Sequence, residues 1–173
     1  MVEFIPINVN LHKSHLIQLN EEYLTWIASE MRKRYNIDMV LLMGISVSKY
    51  VEKTIEDLSS YLPPEGIYYL IQNDNSIFGM GALRTLKEGI GEIKRMYIKP
   101  KYRGNGYGKK ILELLLKNGK EFGFSSIRLD TGDYMAAAHQ VYRFARFQER
   151  ERYLESEVPT FFLPHWLFME KFL

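Results

Sequence analysis

The chain has 173 residues, of which 46% are hydrophobic and 25% charged, and its formal net charge is +2. This length and composition predict a single folded domain over residues 1–173, and they exclude a disordered, collagen-like or coiled-coil chain. The absence of cysteine excludes disulfide scaffolds, thiolate metal sites and cysteine nucleophiles, and the balanced charge does not favour a nucleic-acid partner.

The sequence does not predict a membrane partner. The longest apolar run, 39–45, is far shorter than the roughly 20 residues that a membrane-spanning helix needs. Residues 1–10 lack the basic and then apolar order of a secretory signal. The expected location is therefore the cytoplasm.

The first third of the chain predicts one strand followed by two helices. Residues 2–7 alternate weakly, which favours a strand, and apolar residues then recur at helical spacing over 11–35 with Asn10 as the predicted N-cap. Residues 38–45 are ambiguous between a strand, a helical turn and a loop. The second helix follows Ser46 and should end at Pro63, because proline interrupts helices.

The middle of the chain predicts a β-meander. Three runs rich in β-branched and aromatic residues are separated by the turn clusters 73–76 and 87–89. Runs joined by turns this short are expected to pair antiparallel. The predicted strands are 67–72, 77–86 and 91–99.

The remaining elements predict a mixed sheet. A glycine-rich segment, 101–108, precedes a strongly periodic helix that should end at Gly123. The strand 126–131 is reached through that helix, so it should run parallel to 91–99. A helix at 135–147 and a strand pair at 149–157 and 161–172 complete the chain. The predicted fold class is α/β with an α+β-type mixed sheet, an antiparallel meander followed by a parallel strand pair, flanked by about four helices.

The segment Arg103-Gly104-Asn105-Gly106-Tyr107-Gly108-Lys109-Lys110 lies between a predicted strand and a predicted helix. The first turn of a helix has backbone N–H groups without intrahelical partners, and this end carries partial positive charge. Glycines allow a tight turn and leave no Cβ between the backbone and a ligand. The segment is therefore typical of a phosphate site. The alternative is a glycine-rich turn that only caps the helix.

The glycine spacing excludes two common phosphate loops. Three residues, not four, separate Gly104 from Gly108, and a second lysine follows Lys109, so the segment is not a Walker A loop. Its G-x-G-x-G spacing also differs from the dinucleotide fingerprint G-x-G-x-x-G. Another kind of nucleotide-phosphate binder that uses this loop stays open as a remote alternative.

The span 92–108 resembles the central motif of the GNAT superfamily of N-acetyltransferases, which is a strand followed by [Arg/Gln]-x-x-Gly-x-[Gly/Ala] at a helix start. Arg103, Gly106 and Gly108 occupy the marked positions of that motif. The order of the predicted elements also agrees with the family from the first strand to the last. The resemblance therefore implies a GNAT-like fold over nearly the whole chain.

A second segment carries the same resemblance. Residues 135–142, followed by Phe147, are similar to the family's later helix with its tyrosine and closing aromatic residue. Two positions depart from the family pattern. Met135 stands where the family often has asparagine, and Arg146 stands where it often has glycine.

The resemblance implies that acetyl-CoA is the co-substrate, and the spacing of the histidines predicts no metal. In this family the glycine loop binds the pyrophosphate, and the preceding strand pairs with the pantetheine arm like an added β-strand. The sheet splays between strands 92–99 and 126–131 to hold the thioester. The implied cofactor-binding residues are Met96, Tyr97, Ile98, Arg103, Gly104, Asn105, Gly106, Tyr107, Gly108, Lys109, Met135, Ala138 and Tyr142.

The implied reaction is direct transfer of the acetyl group from the thioester to a primary amine, with no covalent enzyme intermediate. An amine of pKa about 10.4 is mostly charged at neutral pH, so a general base is needed, directly or through water. Glu92 starts the central strand where the family often has a carboxylate and is the candidate base. The alternative is a solvated charge at the strand edge. Tyr142 matches the family's proton donor to the departing thiolate, and the alternative is a core tyrosine.

The sequence does not identify the acceptor, beyond a small-molecule or peptide amine. The histidines lack metal-ligand spacing, and His139 is expected on a helix surface. The apolar stretch 161–168 favours either a homodimer surface or a buried last strand. The alternative function is a non-catalytic acyl-CoA-binding or sensor module of the same fold.

Overall fold

A computed structural model, which describes residues 1–74 and 76–173, shows one seven-stranded mixed sheet. Its strands are β1 (Glu3–Pro6), β2 (Gly66–Asn73), β3 (Ser76–Lys87), β4 (Ile90–Ile98), β5 (Ser126–Gly132), β6 (Gln148–Arg150) and β7 (Trp166–Phe172). The α-helices described are α1 (Val9–Tyr35), α2 (Met39–Met43), α3 (Val47–Glu56), α4 (Tyr107–Glu121) and α5 (Ala136–Phe144). The strand order is β1-β2-β3-β4-β5-β7-β6. The predicted fold class is confirmed.

Capping residues decide where the first two helices begin. The Asn8 side chain accepts hydrogen bonds from the backbone N–H groups of Asn10 and Leu11, at 3.1 and 3.2 Å, so α1 starts earlier than predicted. The expectation that Asn10 is the N-cap is therefore wrong. Asp38 accepts from the N–H of Leu41 at 3.0 Å, which makes the ambiguous segment a short helix, α2.

Helix α3 begins after Ser46 as predicted but ends at Glu56, before Pro63. The Asp57 side chain accepts from the N–H of Ser59 at 2.9 Å and so favours a separate 3₁₀ turn. The expectation of one continuous helix was wrong because a local side-chain bond competes with the helix at this point.

The antiparallel meander is confirmed, since β2 pairs with β3 and β3 with β4 in antiparallel register. One residue of the predicted turn at 73–76, Asn75, lies outside the described residues. The parallel pairing of β4 with β5 is also confirmed, but it runs only from Ile90 with Ser126 to Ile93 with Leu129. Beyond Ile93 the two strands separate, which opens the sheet at its centre.

A β-bulge interrupts β4 next to this opening. Met80 pairs with Tyr97 and Ala82 with Lys94, so a single residue of β3 lies opposite two residues of β4. Arg95, one of those two, has φ 58°, in the left-handed region that favours glycine. The bulge shifts the side-chain alternation of β4, so that Ile93 and Met96 pack on one face of the sheet while Tyr97 packs on the other.

The core has two layers, one on each face of the sheet. Helices α4 and α5 cover one face, where Ile111, Leu115 and Tyr142 are buried against the strands. Helices α1 and α3 cover the other face, where Leu16 and Val51 are fully buried. Gly119 lets α4 approach the sheet, because a Cβ there would lie 2.5 Å from Ile127 Cδ1.

The last strands differ from the prediction. Only Gln148–Arg150 form β6, and β7 lies between β5 and β6. The predicted strand at 149–157 is confirmed only at residues 149 and 150, which pair with β7. Beyond them it is wrong, because Arg152 donates to the backbone oxygens of Ser156 and Val158 and holds the chain in a loop. The apolar stretch 161–168 forms a 3₁₀ helix and the start of β7, with Phe162 and Phe168 buried.

No helix of the described residues has the length and apolar character to span a bilayer.

Candidate active site

The glycine loop connects β4 to α4 at the carboxyl end of the strand. Gly104 and Gly106 have φ values of 80° and 76°, a conformation that explains why glycine occupies both positions. Gly106 is the N-cap of α4, and no side chain caps the helix. The N–H groups in the first turn of α4 therefore have no intrahelical acceptor and point away from the helix.

Nothing within the chain requires a glycine at position 108. It lies in the first turn of α4 with helical backbone, and a Cβ built there meets nothing within 4 Å. Neither backbone conformation nor packing therefore explains the glycine. A ligand that lies close to the helix N-terminus would explain it, and the space beside the loop fits a phosphate group.

The separation of β4 from β5 leaves a backbone edge beside the loop. Past Ile93 the described residues place no strand next to β4 on the β5 side. An extended ligand can add to such an edge as an extra strand. Arg103 closes the end of this edge, since its Nε donates to the Ile98 oxygen at 2.9 Å.

A cavity of about 670 Å³ runs from the glycine loop into the space between the splayed strands and helices α1 and α3. A volume in this range suits a ligand larger than a single metabolite fragment. Its wall contains every predicted cofactor residue except Asn105, namely Met96, Tyr97, Ile98, Arg103, Gly104, Gly106, Tyr107, Gly108, Lys109, Met135, Ala138 and Tyr142. Asn105 instead supports the loop by donating to the backbone oxygens of Tyr102 and Arg103, both at 3.1 Å.

Tyr142 lies on α5 and is 5% exposed, with its side chain in the cavity wall. Its hydroxyl makes no hydrogen bond to any residue in the described part of the chain. Burial raises the pKa of the Tyr142 phenol well above its ordinary value, and nearby Tyr23 and the charge of Asp130 act in the same direction. The phenol is therefore protonated at neutral pH and keeps a proton available inside the cavity.

Glu92 is fully buried and does not line the cavity. Arg84 Nη2 lies 2.7 Å from Glu92 Oε2, and the Tyr153 hydroxyl donates to Oε1 at 2.6 Å. Lys94 Nζ lies 3.5 Å from the same Oε1. The interpretation of Glu92 as a solvated strand-edge charge is wrong, and its oxygens are enclosed by these three side chains.

Two other carboxylates do reach the cavity wall, Asp130 and Glu157. Both Asp130 oxygens are occupied, because Lys94 Nζ lies 2.9 Å from Oδ2 and Trp166 Nε1 donates to Oδ1 at 2.7 Å. Arg84 Nη2 donates to Glu157 Oε2 at 2.8 Å. No described residue donates to Glu157 Oε1, so one oxygen of this carboxylate is free to accept a proton.

Lys94 also lines the cavity and holds Asp130 and Glu92 in place. Burial alone would lower the pKa of the Lys94 ammonium, but the two carboxylates outweigh it and the pKa is raised. Lys94 is therefore charged at neutral pH. Sequence reasoning did not predict that Lys94, Asp130 and Glu157 line the same cavity, because they come from three separate segments of the chain.

Two further residues differ from their predicted setting. His139 is buried, not on the helix surface, and its Nε2 lies 2.9 Å from the Gly132 oxygen, which ties α5 to the end of β5. Arg146, which stands where the family often has glycine, has φ 65° and lies at the end of α5. The left-handed backbone at this position gives the physical reason for the family's preference.

Comparison with known proteins gives consistent results. A family model described as Acetyltransferase (GNAT) family matches residues 22–146. An IAA acetyltransferase of Azospirillum brasilense is 32% identical over 95 residues, which cover 54% of this chain and 62% of that relative. The match therefore spans less than two thirds of that relative's length.

Solved structures with the same fold are also found. An acetyltransferase of the GNAT family from Staphylococcus aureus Mu50 is 24% identical with a TM-score of 0.71, and the match covers 100% of this chain and 99% of that one. The PaiA N-acetyltransferase of Thermoplasma acidophilum, solved in complex with coenzyme A, is 19% identical with a TM-score of 0.71 over 100% and 99% of the two chains. At these identities the likeness concerns the fold.

Proposed function

The chain belongs to the acetyltransferase (GNAT) family, and we propose that it transfers the acetyl group of acetyl-CoA directly to a primary amine of a small molecule or peptide. The observation that carries this proposal is the open glycine loop at one end of the cavity, with Gly108 unexplained by the fold itself. The proposal treats residues 1–173 as one catalytic domain.

The loop and β4 account for binding of the co-substrate. The N–H groups of Gly104 to Lys109 face the pyrophosphate, while Arg103 and Lys109 supply positive charge at the rim. The backbone of β4 at Met96 and Ile98 pairs with the amide groups of the pantetheine arm. Acetyl-CoA, when bound in this way, supplies a thioester carbon that an amine can attack.

The cavity residues account for the transfer. The amine nitrogen attacks the thioester carbon, and the carbon–sulfur bond breaks with its electron pair left on sulfur. Tyr142 gives its hydroxyl proton to that sulfur, and its phenolate takes a proton from solvent after the products leave. Burial raises the pKa of Tyr142 and so keeps its proton in place until a thiolate forms, and burial also raises the pKa of a thiol beside it.

The amine proton requires an acceptor, and we assign it to Glu157, directly or through a water molecule. Its Oε1 is free, and its side chain lines the cavity. Glu92 is a positioning residue in this proposal, because it holds the Arg84 guanidinium that orients Glu157. The proton-acceptor role therefore moves from the buried carboxylate to the one in contact with the cavity.

The proposal is tested by titrating the protein with acetyl-CoA in a calorimeter and then assaying thiol release across a panel of primary amines. We expect saturable binding of acetyl-CoA and amine-dependent release of free thiol. The absence of binding at millimolar acetyl-CoA would contradict the proposal. Binding without release for any amine would favour the non-catalytic sensor instead.

A further inference from the structure

Arg95 is a charged side chain in the cavity wall that no carboxylate of the described residues pairs with. It is partly buried. No carboxylate pairs with it, and its guanidinium makes no hydrogen bond to any residue that the structure describes. It lies over the Tyr50 ring, whose centroid is 6.0 Å from Arg95 Cζ. Arginine keeps its charge at all ordinary pH values. A partly buried charge that contacts only a neutral ring and no anion is unfavourable, which points to an anionic ligand.

The backbone at Arg95 is also held in an unusual conformation. Its φ of 58° is disfavoured for a residue with a side chain, and the β4 bulge maintains it. An extended strand would turn residue 95 to the same face as Ile93, against α4. The bulge instead sends Arg95 to the face of α1 and α3, where Tyr50 lies. Strain of this kind at a cavity wall points to a functional role for the side chain.

The groups that face Arg95 from neighbouring elements are neutral phenols. They are Tyr23 on α1, Tyr50 on α3, Tyr61 in the 3₁₀ turn and Tyr68 on β2. The two carboxylates in the cavity wall form their ion pairs with other cations, Asp130 with Lys94 and Glu157 with Arg84. The chain itself therefore does not neutralise Arg95.

Arg95 is distinct from the cations at the co-substrate end of the cavity. Arg103 is hydrogen-bonded to Ile98 and lies next to the glycine loop, and Lys109 belongs to the first turn of α4. Arg95 lies before them on β4, on the side of α3. Its ligand is therefore the second substrate rather than the phosphates of coenzyme A.

We propose that Arg95 binds a carboxylate of the amine acceptor, so that the acceptor class is an amine carrying a carboxylate on an apolar body. The guanidinium fork matches a carboxylate in geometry and charge, with two parallel hydrogen bonds. This inference rests on the proposed acetyltransferase function and names the acceptor for that site.

The apolar body follows from the rest of the wall at this end. The cavity between α2, α3 and the 3₁₀ helix before β7 is lined by Met39, Met43, Val47 and Phe162. Such a lining binds apolar and aromatic groups and does not favour a polycationic acceptor such as a polyamine. Arg95 adds repulsion against a second positive charge at the same place.

The experiment compares matched acceptors and matched arginine variants. The acceptors are α-, β- and ω-amino carboxylic acids with apolar bodies, each with its primary amide and the amine that lacks the carboxyl group; L-phenylalanine, its amide and phenethylamine form one such set. The variants are Arg95→Gln, Arg95→Lys and the control Arg146→Gln. Arg146 shares the left-handed backbone of Arg95 but is exposed and lies outside the cavity wall.

We expect the unaltered protein to favour the acid over its amide in kcat/KM in at least one set. Arg95→Gln should lower kcat/KM for that acid by about 10- to 100-fold, the range for a charged hydrogen-bonded pair. It should change kcat/KM for the amide and the amine little. Arg95→Lys should restore part of the preference. The KM for acetyl-CoA should stay unchanged in all three variants, and Arg146→Gln should match the unaltered protein.

Calorimetric binding of the same acids in the presence of coenzyme A separates this inference from the proposed function. Binding that depends on Arg95 without any turnover overturns the acetyltransferase and supports the carboxylate site. Turnover with equal rates for acids and amides in every set overturns the carboxylate site and supports the enzyme. An equal loss for all acceptors in Arg95→Gln, with a lowered melting temperature, assigns Arg95 a structural role and overturns the inference.

Discussion

At the scale of single residues, the chemistry of the site depends on how much water each group meets. Tyr142 and Glu92 are both buried, yet only Tyr142 lines the cavity. A buried phenol stays neutral and can donate its proton, whereas a carboxylate enclosed by Arg84, Lys94 and Tyr153 stays paired. Burial therefore suits the first residue for a catalytic role and the second for a positioning role.

Replacement of Tyr142 by phenylalanine tests the proton-donor role. We expect Tyr142→Phe to lower kcat by about 10²- to 10⁴-fold, because general acid catalysis typically supplies that much. The affinity for acetyl-CoA should change little, since the ring remains in the wall. Steady-state thiol release and calorimetric titration measure the two quantities. A collapse of affinity with unchanged kcat would make Tyr142 a binding residue.

Matched glutamine variants of Glu157 and Glu92 test which carboxylate accepts the amine proton. We expect Glu157→Gln to lower kcat/KM at least 10²-fold at neutral pH with unchanged stability, because its side chain is 65% exposed. The deficit should shrink as the pH approaches the pKa of the amine, since less proton removal is then needed.

Glu92→Gln should instead lower the free energy of unfolding by roughly 3 kcal/mol, because it leaves a buried guanidinium partly unpaired. Chemical denaturation and pH–rate profiles of both variants distinguish the roles. A larger rate defect in Glu92→Gln than in Glu157→Gln, at equal stability, would return the base role to Glu92.

At the scale of secondary-structure elements, the site is the end of β4 together with the start of α4. The bulge in β4, the separation of β4 from β5 and the uncapped helix N-terminus all lie within this one connection. Each of them leaves backbone polar groups without a partner, which is costly in a strand or helix that has only a structural role.

Replacement of Gly108 by alanine tests whether the loop binds a ligand or only begins the helix. A Cβ there meets nothing in the chain, and alanine has a higher helix propensity than glycine. We therefore expect Gly108→Ala to keep or slightly raise the melting temperature. It should weaken acetyl-CoA binding at least 10-fold, because the added methyl group occupies the space of the phosphate.

Gly106→Ala is the contrasting variant, since φ 76° makes it strained in the unliganded protein. It should lower stability by about 1 kcal/mol. If Gly108→Ala bound acetyl-CoA as tightly as the unaltered protein, the loop would be a helix cap alone.

At the scale of the whole molecule, buried tyrosines make stability depend on alkaline pH. Burial raises the pKa of Tyr68 to about 12, and Tyr23 is raised to about 12 by burial and by the charge of Asp130. Their folded-state pKa lies above the unfolded value, so the unfolded chain loses its protons first. The stabilisation is therefore complete below about pH 10 and is lost as the pH rises towards 12.

We expect the urea midpoint to be constant from about pH 8 to about pH 9.5 and to fall steeply by about pH 11.5, with phenolate absorbance rising in the same transition. Tyr68, which is 2% exposed, should contribute on the order of 2 kcal/mol to this loss. Tyr68→Phe should reduce the dependence on pH by that amount. A midpoint that did not change above pH 10 would contradict the burial of these phenols.

The sequence by itself determined the order and type of most elements and the place of the glycine loop. Helical periodicity, turn clusters and glycine spacing are local, and local patterns report on neighbours within about one turn or one hairpin. They predicted the meander, the parallel pair β4–β5 and the loop at 103–110. They failed at Asn8, at Asp57 and in 151–159, where the hydrogen bonds of one side chain decide each boundary.

Only the tertiary structure decided which charges share the cavity. Glu92, Asp130 and Glu157 are all acidic residues that the sequence alone does not distinguish. Arg84 pairs with Glu92, which is buried, and Lys94 pairs with Asp130. Arg84 also pairs with Glu157 but leaves one of its oxygens free. Arg95 lies in an ordinary strand sequence, and only the bulge opposite β3 turns it into the cavity. Burial and charge pairing depend on residues far apart in the chain, so no local pattern carries that information.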